Sequence, residues 1–418
     1  MFDLRRTFRL YRLLSASFYR VFAAHLLLTV IQTAFLLIFN LLLKKYGYSD
    51  AQIGTYISMQ YLGVLLLSFP LGFVLRGRRI RPYFLASGIL TPLLSLAALE
   101  AAVFHFEIWL YVLLFFWGMG FVSFQIGVLP WLLRNTTSHL RTEAIAFLYT
   151  NFSMSQILAG LVIWGLVAGL GWNEYRVLQV VSALGLLSPV LCWRVSEVQP
   201  DQARMTRANF GHQLLKGYDW GRIARVMIPN TWLTIGAGLT MPFMNLFFFS
   251  IYGLDTDAFS LMSLITAVLV VFSTLYIARI RRQFGYRIAI TLSQGLAVLL
   301  LFGIAVLAFE PLWVLAFPLT VLCFMVRQPL MHAAVPMTRE LMLLQAGERN
   351  REMISALLGS VKSGTYFFSA QVFAVLRGFN LDFAYIFLIT ATFYGMGVYA
   401  YYRLIVSFER ERLPAQVY

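Results

Sequence analysis

Arg327 and Lys362 each stand inside an apolar run long enough to cross a membrane. An ionisable group at such a depth is expensive and marks a functional site unless another group satisfies it. Lys362 lies ten residues beyond Glu352, about 15 Å along a helix and near the bilayer midplane. Ser355, Gly359, Lys362, Tyr366 and Ser369 recur at steps of 4, 3, 4 and 3, one polar helical face with small residues. Arg327, counted from about Pro311, falls roughly 24 Å down its helix, in the inner third. No Asp or Glu lies near the middle of any run, so both cations are expected to be buried without an acid partner. The chemistry this favours is capture of a carboxylate, a phosphate or an acidic headgroup. The alternative is a structural role, with the cations bonded to carbonyls and amides.

Amides form a second set. His25, Thr29, Gln32, Leu36 and Asn40 fall at steps of 4, 3, 4 and 4 on one helical face, and Asn230, Thr234, Ala237, Met241 and Asn245 repeat the frame. Gln125, Asn151 and Gln156 are further candidates. Each amide can line a cavity or make an interhelical hydrogen bond, worth about 0.6 kcal/mol on average. His25 is a candidate proton carrier by its ordinary pKa, or an interfacial residue near its helix end.

These groups are carried by an almost wholly apolar chain. Its 418 residues are 60% hydrophobic and only 12% charged, about half the charged content of a soluble protein. Long apolar runs without barrel-like alternation make it an all-α polytopic membrane protein. Twelve spans are expected, at about 19–43, 50–75, 83–104, 107–133, 142–170 and 175–194, then 222–251, 256–279, 286–309, 311–333, 350–376 and 381–407. The polar stretch 195–221 reads as the linker between an N-terminal six-helix half, 1–194, and a C-terminal half, 222–418. The basic residues sort by side: 27 of the 33 Lys and Arg fall in one set of connections and termini, and 4 in the other. The richer side is expected to be cytoplasmic, with both termini there, in a bacterial inner (plasma) membrane. This sorting explains the net charge of +15 without a nucleic-acid partner. Cys192 and Cys323 show no metal-ligand spacing, and no cofactor is implied.

The halves repeat. Asn40 and Tyr46-Gly47 are echoed by Asn245 and Tyr252-Gly253, and Glu143-x-Ile145-x-x-Leu148 by Glu352-x-Ile354-x-x-Leu357, at offsets of 205 to 209. The basic turn Gly72–Pro82 returns as Ala278–Arg287. These two turns resemble the loops after the second and eighth helices of major facilitator superfamily transporters, with the pattern Gly-x-x-x-Asp-Arg-x-Gly-Arg-Arg. Gly77, Arg78 and Arg79 match the end of the first copy, and Gly285 and Arg287 that of the second. The acid is missing from both, and Arg282 stands at its place in the second.

The resemblance implies two pseudo-symmetric six-helix halves, alternating access and no enzymatic activity. It implies that the first and seventh helices line a central cavity. It also implies a cytoplasmic gate, with Arg76, Arg78 and Arg79 near Glu352, and Arg282 and Arg287 near Glu143. Family drug exporters usually hold an embedded acid; the cations here point to an anionic, zwitterionic or amphiphilic small-molecule substrate. Membrane lipids, and protons as a coupling ion, are the other partners expected. A lipid or lysolipid translocase on the same fold is the alternative. An intramembrane enzyme would need converging catalytic groups, and none converge.

Overall fold

The computed structural model describes residues 11–75, 78–137, 140–198, 218–347 and 350–412, and no strand occurs among them. Apolar runs dictate the helices: with no water in the bilayer core, each span must satisfy its backbone internally. The spans are α1 (Ala16–Lys45), α2 (Asp50–Val74), α3 (Arg81–Val103), α4 (Glu107–Asn135), α5 (Arg141–Leu170) and α6 (Glu174–Trp193). They continue as α7 (Trp220–Tyr252), α8 (Thr256–Tyr286), α9 (Arg287–Phe309), α10 (Ala316–Ala346), α11 (Arg351–Gly378) and α12 (Phe383–Arg412). Eleven are long and apolar enough to cross a membrane. The twelfth, α11, carries Lys362, Ser363, Thr365, Ser369 and Gln371 within its length. The fold is the twelve-helix arrangement expected from the sequence.

The chain separates into two compact units, Met1–Gly47 with Met59–Ala208, and Tyr48–Ser58 with Asn209–Tyr418. Most of the expected linker, 199–217, lies outside the described residues. The first part of α2 belongs to unit 2. There Asp50, at the helix start, accepts two hydrogen bonds from the Arg377 guanidinium, at 2.6 and 2.9 Å, and Ser58 accepts one from Gln371 at 2.7 Å.

Within each unit small residues set the closest helix crossings, as packing between membrane helices requires. In unit 1 a Cβ at Gly63 would lie 2.0 Å from the Phe115 carbonyl oxygen, and one at Gly118 2.1 Å from that of Gln60. In unit 2 a Cβ at Gly238 would lie 2.7 Å from Ser369 Cβ, so α7 and α11 touch there backbone to backbone.

Two helices are broken at matching places. A π-helical turn, Phe35–Phe39, interrupts α1 just before Asn40, and a 3-10 turn, Met241–Phe243, interrupts α7 just before Asn245. Pro242 explains the second, because it lacks an N–H to donate. The second basic turn differs from its expectation. The sequence places a connection at 279–287, but helix continues to Tyr286 and breaks only at Gly285 (φ 73°), a backbone position that strains any residue with a Cβ.

Candidate functional site

The residues that could hold an anion meet in unit 2, on α7, α10, α11 and α12. Arg327 lies eleven residues in from Ala316, about 17 Å down α10. This corrects its expected position in the inner third: α10 begins at Ala316, not Pro311, because Pro311–Leu315 form a turn. Arg327 is 1% exposed and packs its guanidinium over the Tyr394 ring of α12, 5.2 Å from the centroid. None of its three guanidinium nitrogens has hydrogen-bond geometry to a described residue, although the Tyr394 phenol is close enough to interact with its charge. Beside it, Gln328 donates to Met241 Sδ at the α7 break (3.3 Å), while its own amide oxygen is buried and unbonded. A guanidinium moved from water into such surroundings costs several kcal/mol unless something pairs with it. Such a guanidinium is suited to pairing with an anion, and no described residue supplies one.

His332, Lys362 and Arg339 extend the cluster along α10 and α11, none of them on the same turn. His332, half-buried, lies within the fields of both Arg327 and Lys362, and Lys362 lies within that of Arg339. Gln328, His332 and Arg339 fall at steps of 4 and 7, one face of α10. Exposure rises along the series: Arg327 buried, His332 half-buried, Lys362 and Arg339 exposed. Lys362, expected to be buried, keeps an accessible side chain, while its ammonium is nevertheless desolvated. The next turn of α11 carries Gly359, whose missing side chain leaves open space beside it. Lys362 Nζ sits 5.6 Å from the Tyr366 ring centroid one turn on. Tyr366 in turn is held against α7, its Cα 3.0 Å from where a Gly238 Cβ would be, and Ser369 donates to the Ile235 carbonyl at 2.9 Å. Asn245 is buried just past the α7 break.

His332 and Arg339 were missed from sequence. The signal was available: read at steps of 4 and 7 from Gln328, both fall on one face of an apolar helix. Pro329 and Pro336 each remove one helical N–H from this stretch and leave carbonyls without their usual donors.

Unit 1 gathers its own expected residues, all uncharged apart from the loops. His25 stacks on Phe124 with rings nearly parallel (3°) at 5.6 Å, and its buried Nδ1 makes no hydrogen bond to a described residue. Asn151 donates to the Phe22 carbonyl at 3.2 Å, tying α5 to α1. Gln32 is half-buried, Asn40 buried and Gln125 exposed.

Of the expected gate residues, Arg76 lies outside the described residues, as do the side chains of Arg282 and Glu352. Arg78 and Arg79 are exposed. Their loop is organised from within unit 1: Arg134 donates to the carbonyls of Leu75 and Arg78, and the Glu197 carboxylate accepts from the backbone N–H of Ile80 and Arg81 at the start of α3. Arg287 donates to the Tyr402 hydroxyl at 2.8 Å. Glu143 Oε2 is buried and unbonded among the described residues. No group of three or more His, Cys, Asp or Glu among the described residues could hold a metal ion.

A family model described as Major Facilitator Superfamily matches residues 21–370. None of the curated proteins matches the chain. Among solved structures, the nucleoside transporter NupG superposes with a TM-score of 0.72 at 13% identity, covering 94% of this chain and 99% of that one. The D-xylose-proton symporter gives 0.71 at 14% identity, covering 92% and 96%. A bacterial homologue of the human lysosomal transporter Spinster gives 0.70 at 12% identity, covering 94% and 97%. At these identities the likeness extends to the fold alone.

Proposed function

This chain belongs to the major facilitator superfamily, and from that premise we propose that it is a secondary transporter for a small organic solute bearing an acidic group. The two units alternate access to a midplane site, as is general for the family. The observation that carries the substrate class is Arg327: a fully buried guanidinium, none of whose nitrogens has hydrogen-bond geometry to a described residue. The acidic group of the solute pairs with Arg327. Lys362 and Arg339 draw it inward by their charge, and His332, Gln328, Asn245 and Tyr366 supply neutral contacts to the rest of the molecule. On the other unit Gln32, Asn40, Gln125 and Asn151 contribute amides, and His25 is the group to carry a proton.

A thermal-shift screen of the purified protein tests the substrate class, because a ligand stabilises the fold it binds. Each acidic solute is paired with its ester or amide. Acidic members should raise the melting temperature, and their masked partners should lose most of the shift. Equal shifts from masked and unmasked members would overturn the reading, and a shift confined to acidic amphiphiles would move it to a lipid translocase.

We propose that both termini are cytoplasmic, a reading supported by the 27 of 33 basic side chains on one set of connections and termini. A reporter fused to the C-terminus should therefore be active only if it is one that works inside the cell; activity of one that works outside rejects the orientation.

A further inference from the structure

An apolar groove of about 370 Å³ runs between α9 and α12 of unit 2, and none of its lining residues belongs to the anion cluster. It is lined by Thr291, Gly295 and Val298 on one helix and Gly395, Val398, Tyr399 and Tyr402 on the other. Two glycines on facing helices create it: a Cβ built at Gly295 or at Gly395 meets nothing within 4 Å. The surface around the groove is strongly apolar, with Leu292 66%, Leu299 66% and Met396 42% exposed, as expected where helices face hydrocarbon.

One end of the groove is cationic. Arg287 opens α9 just after the Gly285 break, with its guanidinium 5.0 Å from the Tyr402 ring centroid and bonded to that hydroxyl. Arg403 is exposed and donates to the Tyr399 hydroxyl at 3.3 Å. Neither arginine makes an ion pair with a described residue. Phenols therefore hold both guanidinium groups in place, and no described carboxylate pairs with either. The depths agree from both sides. Gly295 lies eight residues past Arg287 and Gly395 eight before Arg403, about 12 Å along each helix. That distance is close to one leaflet's share of a hydrocarbon core about 30 Å thick.

We infer that this groove is a binding site for an anionic phospholipid of the surrounding bilayer. One acyl chain lies along Gly295 and Gly395, and the phosphate meets Arg287 and Arg403. A zwitterionic headgroup gains less from two arginines, since its own ammonium must also be placed near them. A soluble phosphate gains nothing from the apolar floor.

The test is native mass spectrometry of delipidated protein in detergent, titrated with dioleoylphosphatidylglycerol or dioleoylphosphatidylcholine. The first phosphatidylglycerol adduct should form at least fivefold more tightly than the first phosphatidylcholine adduct. Arg287→Gln with Arg403→Gln should erase that preference. Gly295→Leu, which fills the groove and leaves the charges, should weaken both lipids. Should the double variant fail to elute as a folded monodisperse species, Arg403→Gln alone, an exposed substitution, must reduce the preference at least twofold. The inference is overturned if wild type shows no headgroup preference or if the preference survives the arginine substitutions. It also fails if Gly295→Leu leaves binding unchanged, or if soluble glycerol phosphate displaces the lipid.

Discussion

The helices α1 and α7 occupy the same place in the two repeats, and each breaks just before an asparagine, Asn40 or Asn245. Around those breaks the chemistry diverges. In unit 1 several neutral side chains bond at home, Asn151 to the Phe22 carbonyl, Thr29 to the His25 carbonyl and Thr33 to the Thr29 carbonyl, while Asn151 Oδ1 stays unbonded among the described residues. In unit 2 the neighbourhood of the break holds Arg327 and Gln328, whose side chains keep buried polar atoms unbonded, with further cations within electrostatic reach. Both copies thus keep a backbone device, an interrupted helix, while the fully buried guanidinium lies in unit 2. In a transporter of this kind the two copies should divide the work. Unit 2 supplies the charge that selects the solute, and unit 1 supplies neutral contacts and the proton.

The comparison is broken most sharply at Arg327. Each charge-assisted hydrogen bond to a ligand is worth about 1.5–3 kcal/mol, so a guanidinium making two should contribute about a hundredfold or more in affinity. Arg327→Met keeps the volume and removes the charge. It should abolish the thermal shift from an acidic solute without lowering the melting temperature of the free protein, because it also removes a desolvated ion. Lys362→Ala, at the exposed end of the series, should cost about tenfold. Equal losses at the two positions, measured by titration calorimetry, would show that the gradient of burial does not grade the binding energy.

Much of this difference was legible in the sequence, and particular residues show why the rest was not. Arg327 and Lys362 announced themselves as cations in apolar runs, and the near-constant offsets between Asn40/Asn245 and Glu143/Glu352 announced the repeat. Depth was less legible. Pro311–Leu315 is apolar enough to read as helix, yet it forms a turn, and that displaced Arg327 by about a turn and a half along α10. Burial was also hard to read: nothing in α11's pattern separates a lysine facing its own unit from one at an open surface. The Gly285 break was hidden for the opposite reason, since the nine residues 279–287, with four arginines, read as a loop but are held as helix until a single glycine turns the chain.

A smaller effect sharpens the comparison from the other side. Gln32 is half-buried on the face of α1 shared with Asn40, and an amide of this kind contributes about 0.6 kcal/mol where it bonds at all. Gln32→Ala should weaken solute binding by about threefold or less, with no change in preference between acidic and masked ligands. A loss as large as that at Lys362 would mean that unit 1 takes part in selecting charge, and the division between the copies would fail.

The smallest expected effect on binding is at His25, and there the readout has to change. His25 is the one titratable side chain among His25, Thr29, Gln32, Leu36 and Asn40 on that face of α1. Its ring lies flat against Phe124, and its buried Nδ1 has no described partner. That leaves a nitrogen inside unit 1 able to take a proton when water reaches it, at a site remote from the cations of unit 2 in sequence and in chemistry. His25→Gln preserves a polar side chain and removes the titration. Affinity for the solute should stay within about twofold, because neither side chain supplies charge to bind it at neutral pH. Uptake into proteoliposomes should lose its stimulation by a pH gradient while exchange of solute for solute continues. If the gradient stimulates the variant as it does the wild type, His25 is a packing residue stacked on Phe124, and the coupling ion must be sought among the titratable groups of unit 2, His332 first.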